Sequence, residues 1–198
     1  MQNLELLKTR VSKLSKSPSF IHHKWFIKYH LEIVEKIAQE LCDIYKDADR
    51  NIVQAMVWLH DYGKILDFNN QYKMTQSEGI KLLEGLNFDT DFIKKVMENI
   101  DIMGSKVTYD LNNASIEVKI VSSADAAAHF EGPFFFLWWY ENSQKDFEVL
   151  MQDNLRKAKK DWERKIVLPE VKRAFSARFQ YLQELCGILP NKYIEEDN

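Results

Sequence analysis

Four ionisable side chains in this sequence occupy positions where apolar residues recur at helical spacing. They are His30, the adjacent pair His60 and Asp61, and Asp125. Burial of a carboxylate costs free energy unless a cation or strong hydrogen-bond donors compensate its charge. Two imidazoles and two carboxylates form a mixed nitrogen and oxygen set that suits a divalent metal ion. Each residue alone is more often an ordinary core or capping residue, but together the four predict one metal site.

The predicted ligand set is suited to catalysis. Four protein ligands on a six-coordinate ion leave two positions for water and a substrate oxygen, so the ion can activate the water and polarise the group under attack. Mn²⁺, Co²⁺, Ni²⁺, Fe²⁺, Zn²⁺ and Mg²⁺ all fit the set, and the sequence does not select one of them. Since His60 and Asp61 point about 100° apart on a helix, both reach one ion only near a helix end. Gly63 is suited to ending that helix.

Three predicted amphipathic helices carry these residues. Apolar residues recur at i, i+3 and i+4 around each of them, and His30 and Asp125 fall on the apolar stripes. His60 continues the apolar face of its own helix. The three helices are expected at about residues 25–42, 50–63 and 115–130.

Capping residues predict the other helix boundaries. Thr75 opens a T-x-x-E capping box, which indicates that a helix starts there. The remaining candidate N-caps are Asp89 or Thr90, for a helix that stops near Gly104, and Asn112 or Asn113, for the helix with Asp125. Pro133 can occupy the first turn of a further helix, and two more are expected at about residues 144–166 and 169–185.

The composition favours an all-α fold. Hydrophobic residues make up 45% of the 198 residues, whereas six glycines and four prolines provide little material for the tight turns of an all-β protein. No repeat, low-complexity tract or linker divides the chain, so residues 1–198 are expected to form a single domain. The predicted architecture is therefore a compact helical bundle.

Charge and cysteine content narrow the function classes. A formal net charge of −3 argues against a protein that coats DNA or RNA, and nucleic acid is not expected as a partner. Two distant cysteines support neither a disulfide scaffold nor a cysteine zinc site, which fits a cytoplasmic location. The one dense apolar run, at residues 133–140, is too short to cross a bilayer, so no membrane partner is expected. Homo-oligomerisation stays open.

Three segments of the sequence carry a family resemblance. They read KYHLEIVEKIAQEL, MVWLHDYGK and IVSSADAAAHF. This H…HD…D pattern resembles the HD-domain superfamily of metal-dependent phosphohydrolases. The resemblance implies a compact bundle with an HD-like core at about residues 20–140 and a C-terminal helical extension, at about 141–190, packed on it. It also implies the metal ligands, which would be His30, His60, Asp61 and Asp125.

The resemblance also implies a reaction. A metal-activated water would attack phosphorus in a nucleotide or another small phosphorylated metabolite. Lys64 resembles the lysine of the HDxGK variant, which is placed to meet substrate phosphate, so Asp61 and Lys64 are the expected catalytic residues. Dinuclear HD enzymes have further histidines after the doublet, but this chain has none between His60 and His129. One ion is therefore expected.

Three further residues are candidates for the pocket. His129 lies one helical turn after Asp125, where it could act as an acid, a base or a phosphate donor, or belong to the core. Asp101 occupies the region where other HD enzymes carry extra histidines, although a solvated charge is the more common role there. Tyr62 follows the HD doublet directly and could contribute to substrate selection.

Two other function classes stay open. One is a catalytically silent regulatory module that keeps the metal ligands. The other is a helical protein-interaction domain that uses the aromatic run 134–140 or the basic segment 153–178, which has nine lysines and arginines against four aspartates and glutamates. A helix this rich in charge is usually a solvated face, whereas the aromatic run is more typical of a buried or core-capping helix than of a lid or a partner surface.

Overall fold

A computed structural model describes residues 2–105 and 108–194 and contains only helices and turns in these two ranges. This confirms the predicted all-α fold. None of these helices has the length and apolar character that crossing a membrane requires. A π-helical stretch, Ile27–Leu31, leads directly into the second α-helix. In chain order the α-helices are α1 Gln2–Leu14, α2 Glu32–Ile44, α3 Arg50–Leu59, α4 Tyr62–Leu66, α5 Gln71–Gly85, α6 Thr90–Gly104, α7 Ile116–His129, α8 Phe134–Glu141, α9 Phe147–Arg164 and α10 Pro169–Leu185.

Helix α7 forms the centre of the bundle. Its residues are buried without interruption over positions 120–129, and it contacts α2, α3, α6, α8, α9 and α10. Alanine and serine dominate this stretch, so neighbouring helices can approach from several sides. The arrangement places Asp125, near the C-terminal end of α7, where several elements meet.

Side-chain caps account for several helix starts. Asp89 accepts a hydrogen bond from the Phe92 amide, so the predicted start and end of α6 are confirmed. The predicted asparagine cap of α7 is wrong, because Ser115 caps this helix by accepting from the Val118 amide. The two asparagines belong instead to a 3-10 turn, Leu111–Asn113.

The segment after the HD doublet differs from its prediction. Helix α3 ends at Leu59 and α4 begins at Tyr62, so Gly63 lies inside a second helix and does not end the first. Helix α5 begins at Gln71, so the predicted capping box at Thr75 is also wrong. Thr75 is buried, and its Oγ1 accepts a hydrogen bond of 2.9 Å from the Gly63 amide. A Cβ on Gly63 would lie 1.9 Å from the Gln71 carbonyl oxygen, so the close approach of α4 and α5 requires glycine.

The N-terminal helix α1, which the sequence pattern did not predict, packs on α2 and α3. Leu7 and Val11 are fully buried on its inner face. Lys8 Nζ donates to Glu35 Oε2 at 2.6 Å, and Trp58 Nε1 donates to Glu35 Oε1 at 2.8 Å. The buried Glu35 carboxylate is therefore compensated by donors from both neighbouring helices.

The turn that follows α9 is fastened to α7 by two buried serines. Ser122 Oγ donates to the Lys165 carbonyl oxygen at 3.1 Å. Ser123 Oγ accepts from the backbone amides of Val167 and Leu168 at 3.1 and 3.3 Å. These contacts satisfy backbone groups that would otherwise be buried without partners, and they fix Lys165 beside α7.

Candidate metal centre

A cavity of about 520 Å³ lies between α4, α5, α6, α7, α8, α9 and the segment before α2. Every candidate site residue from the sequence except Tyr62 lines it; these are His30, His60, Asp61, Lys64, Asp101, Asp125 and His129. Asp101 is exposed in the last turn of α6. Tyr62 lies instead in the hydrophobic core, where burial and the nearby Glu78 carboxylate raise its pKa.

His30 enters the cavity from the π-helical stretch Ile27–Leu31. Its side chain is 2% exposed. A π-helical turn is wider than an α-helical turn and is frequent at functional sites, because the extra residue changes the direction in which side chains point. The predicted helix at residues 25–42 is thus a π-helical segment followed by α2.

The HD doublet lies in the turn between α3 and α4. His60 directly follows the last residue of α3, and Asp61 has φ −110° and ψ 12°, outside the helical region. This break in the helix removes the 100° separation that a continuous helix would impose on the two side chains. Both can therefore face the same point: His60 Nε2 lies 3.6 Å from Asp61 Oδ2.

The carboxylate of Asp125 lies at the centre of the cluster. Its Oδ1 is 3.5 Å from His30 Nε2, 3.7 Å from His60 Nε2 and 3.5 Å from His129 Nε2. Asp61 Oδ2 lies 3.7 Å from His30 Nε2. His30, His60 and Asp125 each offer one ligand atom, and the three atoms lie within 4.8 Å of one another. These three residues are arranged so that they can hold a metal ion.

The hydrogen bond of His60 defines its free nitrogen. Its Nδ1 lies 2.9 Å from the Val57 carbonyl oxygen. Because a carbonyl can only accept, Nδ1 must carry a proton. In the neutral ring this leaves a lone pair on Nε2. This Nε2 is buried and has no hydrogen-bond partner within residues 2–105 and 108–194. A buried, unpartnered imidazole nitrogen that faces two carboxylates fits a divalent cation.

Burial and charge act differently on the two histidines. In His30 burial lowers the pKa, and the Asp61 and Asp125 carboxylates offset only part of this effect. In His60 burial also lowers the pKa, but the same two carboxylates outweigh it and leave the pKa raised. A neutral imidazole is the form that binds a metal, so protonation of His60 would compete with an ion.

Two lysines stabilise the aspartates of the cluster. Burial alone would raise the pKa of Asp61 and Asp125. In Asp61 the charges of Lys64 and His60 reverse this effect, and in Asp125 those of Lys165 and His60 do so, so both pKa values lie well below the usual range. Lys64 Nζ donates to Asp61 Oδ2 at 2.7 Å.

Helix α9 supplies charged residues that the sequence interpretation did not identify. Lys165, just after the helix, is 7% exposed, donates to Asp125 Oδ2, and lies 3.8 Å from Asp161 Oδ1. Burial would lower the pKa of Lys165, but Asp125 and Asp161 outweigh it and raise the pKa above its usual value. Asp161 is itself 1% exposed and forms an ion pair with Lys157. Lys165 therefore occupies one oxygen of Asp125, while the other oxygen faces the histidines.

Asp161 also orients His129. Its Oδ2 accepts a hydrogen bond of 2.8 Å from His129 Nδ1, so Nε2 is the nitrogen that faces Asp125. The ring of His129 stacks on His30 with centroids 5.1 Å apart and 8° between the planes. Burial and the charge of Lys157 lower the pKa of His129 to about 3, so its imidazole is neutral at pH 7.

Aromatic residues close one side of the cavity. Phe134, at the start of α8, packs on His129 with ring centroids 4.0 Å apart. Glu141, at the end of α8, accepts from Trp25 Nε1 at 2.6 Å and lies 2.8 Å from His22 Nδ1. His22 also lines the cavity. Phe134 thus forms part of the cavity wall, and Glu141 contacts two other residues of that wall, Trp25 and His22.

Comparisons with known proteins agree with this geometry. A family model described as HD domain matches residues 27–128. The 3'-5' exoribonuclease YhaM of Listeria innocua serovar 6a is 25% identical over 89 residues, which cover 43% of this chain and 28% of the relative. YhaM of Geobacillus sp. strain WCH70 is 26% identical over 88 residues, which cover 43% and 27%. The similarity thus spans only about a quarter of the length of these relatives. No solved structure matches the chain.

Proposed function

The chain belongs to the HD domain family, and from this premise we propose that it is a divalent-metal-dependent phosphohydrolase. We assign one ion to His30, His60, Asp61 and Asp125. The proposed substrate is a nucleotide or another small phosphorylated metabolite. The observation that carries the proposal is the convergence of two imidazole nitrogens and one oxygen of Asp125 within 4.8 Å, including a buried His60 Nε2 that has no hydrogen-bond partner in the described part of the chain.

The four assigned residues differ in what they contribute. His30 and His60 provide nitrogen atoms that are neutral when a cation is bound. Asp125 can give only Oδ1 to the ion, because Lys165 holds Oδ2. Asp61 is shared with Lys64 through the same Oδ2 that faces the histidines. When bound, a divalent ion supplies Lewis acidity, which activates water and polarises a phosphoryl group.

Residues around the assigned ligands position the substrate and protons. Lys64, whose side chain is 30% exposed, can donate to a phosphoryl oxygen while it remains paired with Asp61. His129 presents Nε2 to the cavity, and Asp161 fixes its orientation from the other side of the ring. The lone pair on this Nε2 is therefore placed to accept a hydrogen bond or a proton from water or the substrate.

Hydrolysis of RNA is a second candidate. It is supported by the local similarity to relatives named 3'-5' exoribonuclease. The similarity covers 43% of this chain and about a quarter of those proteins. It therefore supports a shared hydrolytic module more directly than a shared substrate.

Metal analysis combined with phosphate release tests the proposal. Protein purified without chelator is expected to contain about one divalent ion per chain and to release phosphate from nucleotides or small phosphoesters. Asp125→Asn and His60→Gln are expected to lose bound metal and to lower turnover at least about a hundredfold. A short RNA oligonucleotide, included in the same substrate panel, distinguishes the second candidate.

A histidine outside the cavity provides the matched control. His23 bonds to the Phe20 carbonyl oxygen at 2.7 Å and is not among the residues that line the cavity. His23→Gln should keep both the metal and the activity. If Asp125→Asn and His60→Gln keep them as well, the assignment is wrong. Bound metal without hydrolysis of any tested phosphoester would identify a silent binding module.

A further inference from the structure

The charged residues that line the cavity form two walls. One consists of the HD residues, and helix α9 with the residue after it forms the other. Lys157, Asp161 and Lys165 are spaced four residues apart, so they share one helix face. All three line the cavity, together with Lys160. The side chains of Asp161 and Lys165 are only 1% and 7% exposed, whereas that of Lys157 is 40% exposed. Lys157 is therefore the member of the row that can reach a ligand.

The ammonium group of Lys157 is oriented by buried partners. It donates to Asp161 Oδ2 and lies 3.0 Å from His129 Nδ1. It also lies 5.9 Å from the centroid of the Phe134 ring. An ammonium group has three donor hydrogens, so pairing with Asp161 leaves donors for a cavity ligand.

Lys64 provides a similar group from a different element. Its ammonium is paired with Asp61 as that of Lys157 is paired with Asp161, and both side chains are partly exposed to the cavity. Each lysine is thus paired with an aspartate that lines the cavity, and its ammonium group keeps further hydrogen-bond donors for a ligand. Two such groups at one cavity suit a ligand with several anionic oxygens.

The charges around the cavity indicate which anion fits best. Among residues 2–105 and 108–194, four lysines and four aspartates line it, so their formal charges balance; the lysines are 64, 157, 160 and 165, and the aspartates are 61, 101, 125 and 161. A bound divalent ion would add two positive charges. A phosphomonoester carries nearly two negative charges at neutral pH, because its second pKa is about 6, whereas a phosphodiester carries only one. The monoester therefore neutralises the loaded site and the diester does not.

We propose that Lys157 forms, with Lys64, a subsite for the terminal phosphate of a phosphomonoester, and that phosphomonoesters are the substrate class of this chain in preference to RNA phosphodiesters. The inference rests on the proposed function and narrows it. Six helices and the segment before α2 contribute the walls of the cavity around His30, His60 and His129. A terminal phosphate needs room for one substituent, whereas an internal diester needs room for two.

Paired substrates and a charge-removing variant test this inference. The Mn²⁺-loaded protein is assayed with para-nitrophenyl phosphate and with bis(para-nitrophenyl) phosphate. We expect the wild-type protein to prefer the monoester at least about tenfold in kcat/KM. Lys157→Met should raise KM for the monoester by about ten- to a hundredfold, because a charge-assisted contact is lost. Diester hydrolysis should fall by a clearly smaller factor, because a diester carries one negative charge fewer than a monoester.

Binding provides a measurement that does not depend on turnover. Orthophosphate and dimethyl phosphate are titrated calorimetrically into the Mn²⁺-loaded protein. Lys157→Met should weaken orthophosphate binding by the same factor as KM and dimethyl phosphate binding by a clearly smaller factor. Lys157→Arg, which keeps the positive charge, should retain most of the monoester preference. Lys159→Met is the matched control, since Lys159 is exposed on the same helix and does not line the cavity.

The possible outcomes separate this inference from the proposed function. Equal losses for both substrates in Lys157→Met, or a wild-type preference for the diester, would overturn the subsite while leaving a phosphohydrolase. If neither substrate is hydrolysed by metal-loaded protein, the proposed function fails, and the orthophosphate titration still decides whether Lys157 binds phosphate. Circular dichroism of each variant confirms that the helices are retained before these results are compared.

Discussion

The two charged walls of the cavity differ in the residues that surround their buried charges in the sequence. In the HD region, at residues 27–128, His30 and Asp125 interrupt otherwise apolar helix faces, as Asp125 does between fully buried alanines, and His60 directly follows the apolar helix α3. In α9 the site residues Asp161 and Lys165 stand among many other charged residues. A buried charge is thus easy to recognise from sequence when its neighbours are apolar, and difficult when they are charged.

A weaker signal for the α9 wall is nevertheless present. The buried positions of this helix and the residue after it follow helical spacing, and they are Leu150, Asn154, Leu155, Ala158, Asp161 and Lys165. Three of the six are polar or charged. Asp161 and Lys165 continue the stripe of apolar positions along this helix, and this spacing distinguishes them from the charges of the solvated face.

The largest expected effect lies in the HD region and concerns its backbone. Gly63→Ala would place a Cβ 1.9 Å from the Gln71 carbonyl oxygen and 2.6 Å from the Thr75 amide nitrogen, and backbone atoms cannot move away cheaply. We expect a loss of more than about 4 kcal/mol of unfolding free energy, or no folded protein. Urea denaturation measures this loss.

Gly85 provides the matched control, because a Cβ there would meet nothing within 4 Å. Gly85→Ala should leave the unfolding free energy within about 1 kcal/mol of the wild-type value. Comparable stability of both variants would show that α4 and α5 do not approach as closely as described.

The next largest effect is expected in the α9 wall. Lys165→Met leaves the buried carboxylates of Asp125 and Asp161 without their shared cation. Breaking a buried ion pair in this way costs about 3–5 kcal/mol. In metal-free protein we expect a loss of this size, and added Mn²⁺ should restore part of it because the ion compensates Asp125. Urea denaturation in EDTA and in Mn²⁺ measures both values.

An exposed lysine pair provides the comparison for Lys165. Lys145 pairs with Asp153 at 3.3 Å, and its side chain is 37% exposed. Lys145→Met should cost less than about 1 kcal/mol and show no special response to Mn²⁺. If Lys165→Met also costs less than about 1 kcal/mol of unfolding free energy, α9 covers the site without stabilising its carboxylates. The contrast between the two walls would then be wrong.

The sequence predicted the helical fold and the residues that meet in the cavity, but not the local geometry. His30, His60 and Asp125 could be recognised because a charge on an apolar stripe needs compensation. The break after Leu59 could not, because it depends on the contact of Gly63 with α5, which follows only from tertiary packing. The π-helical turn around His30 is likewise invisible in the hydrophobic periodicity.

The partners contributed by distant segments were also beyond the sequence pattern. Asp161 reaches His129 across 32 residues, and Lys165 reaches Asp125 across 40. Short-range spacing rules describe pairs within one helix, whereas these pairs depend on how α9 docks against α7. The assignment of Lys64 as a phosphate contact stays a prediction, and so does the division into a core and a C-terminal extension.

A smaller effect should appear when the pH is lowered. His129, which connects the two walls, has a pKa of about 3 in the folded protein against 6.5 ordinarily. Between these values the unfolded chain binds a proton that the folded chain does not, so stability is lost as the pH falls below 6.5. Between pH 7 and 4.5 we expect metal-free wild-type protein to lose about 2–3 kcal/mol more than His129→Gln.

The difference between wild type and variant isolates this contribution. His30, whose pKa is also lowered, adds to the loss in both proteins, whereas His60, whose pKa is raised, opposes it in both. Urea denaturation in EDTA at several pH values provides the measurement. Parallel pH profiles for the two proteins would show that His129 is protonated as readily in the folded state as in the unfolded state.

The smallest effect tests how α7 positions the α9 wall. Ser123→Ala removes the oxygen that accepts from the Val167 and Leu168 amides, which costs about 1–2 kcal/mol in urea denaturation. Ser176→Ala, at an exposed serine of α10, should change stability by less than about 0.5 kcal/mol. Because the same turn carries Lys165, we also expect weaker Mn²⁺ binding in Ser123→Ala, measured by calorimetry. A stability loss with unchanged Mn²⁺ affinity would mean that the serine supports the fold alone and that Lys165 finds Asp125 without it.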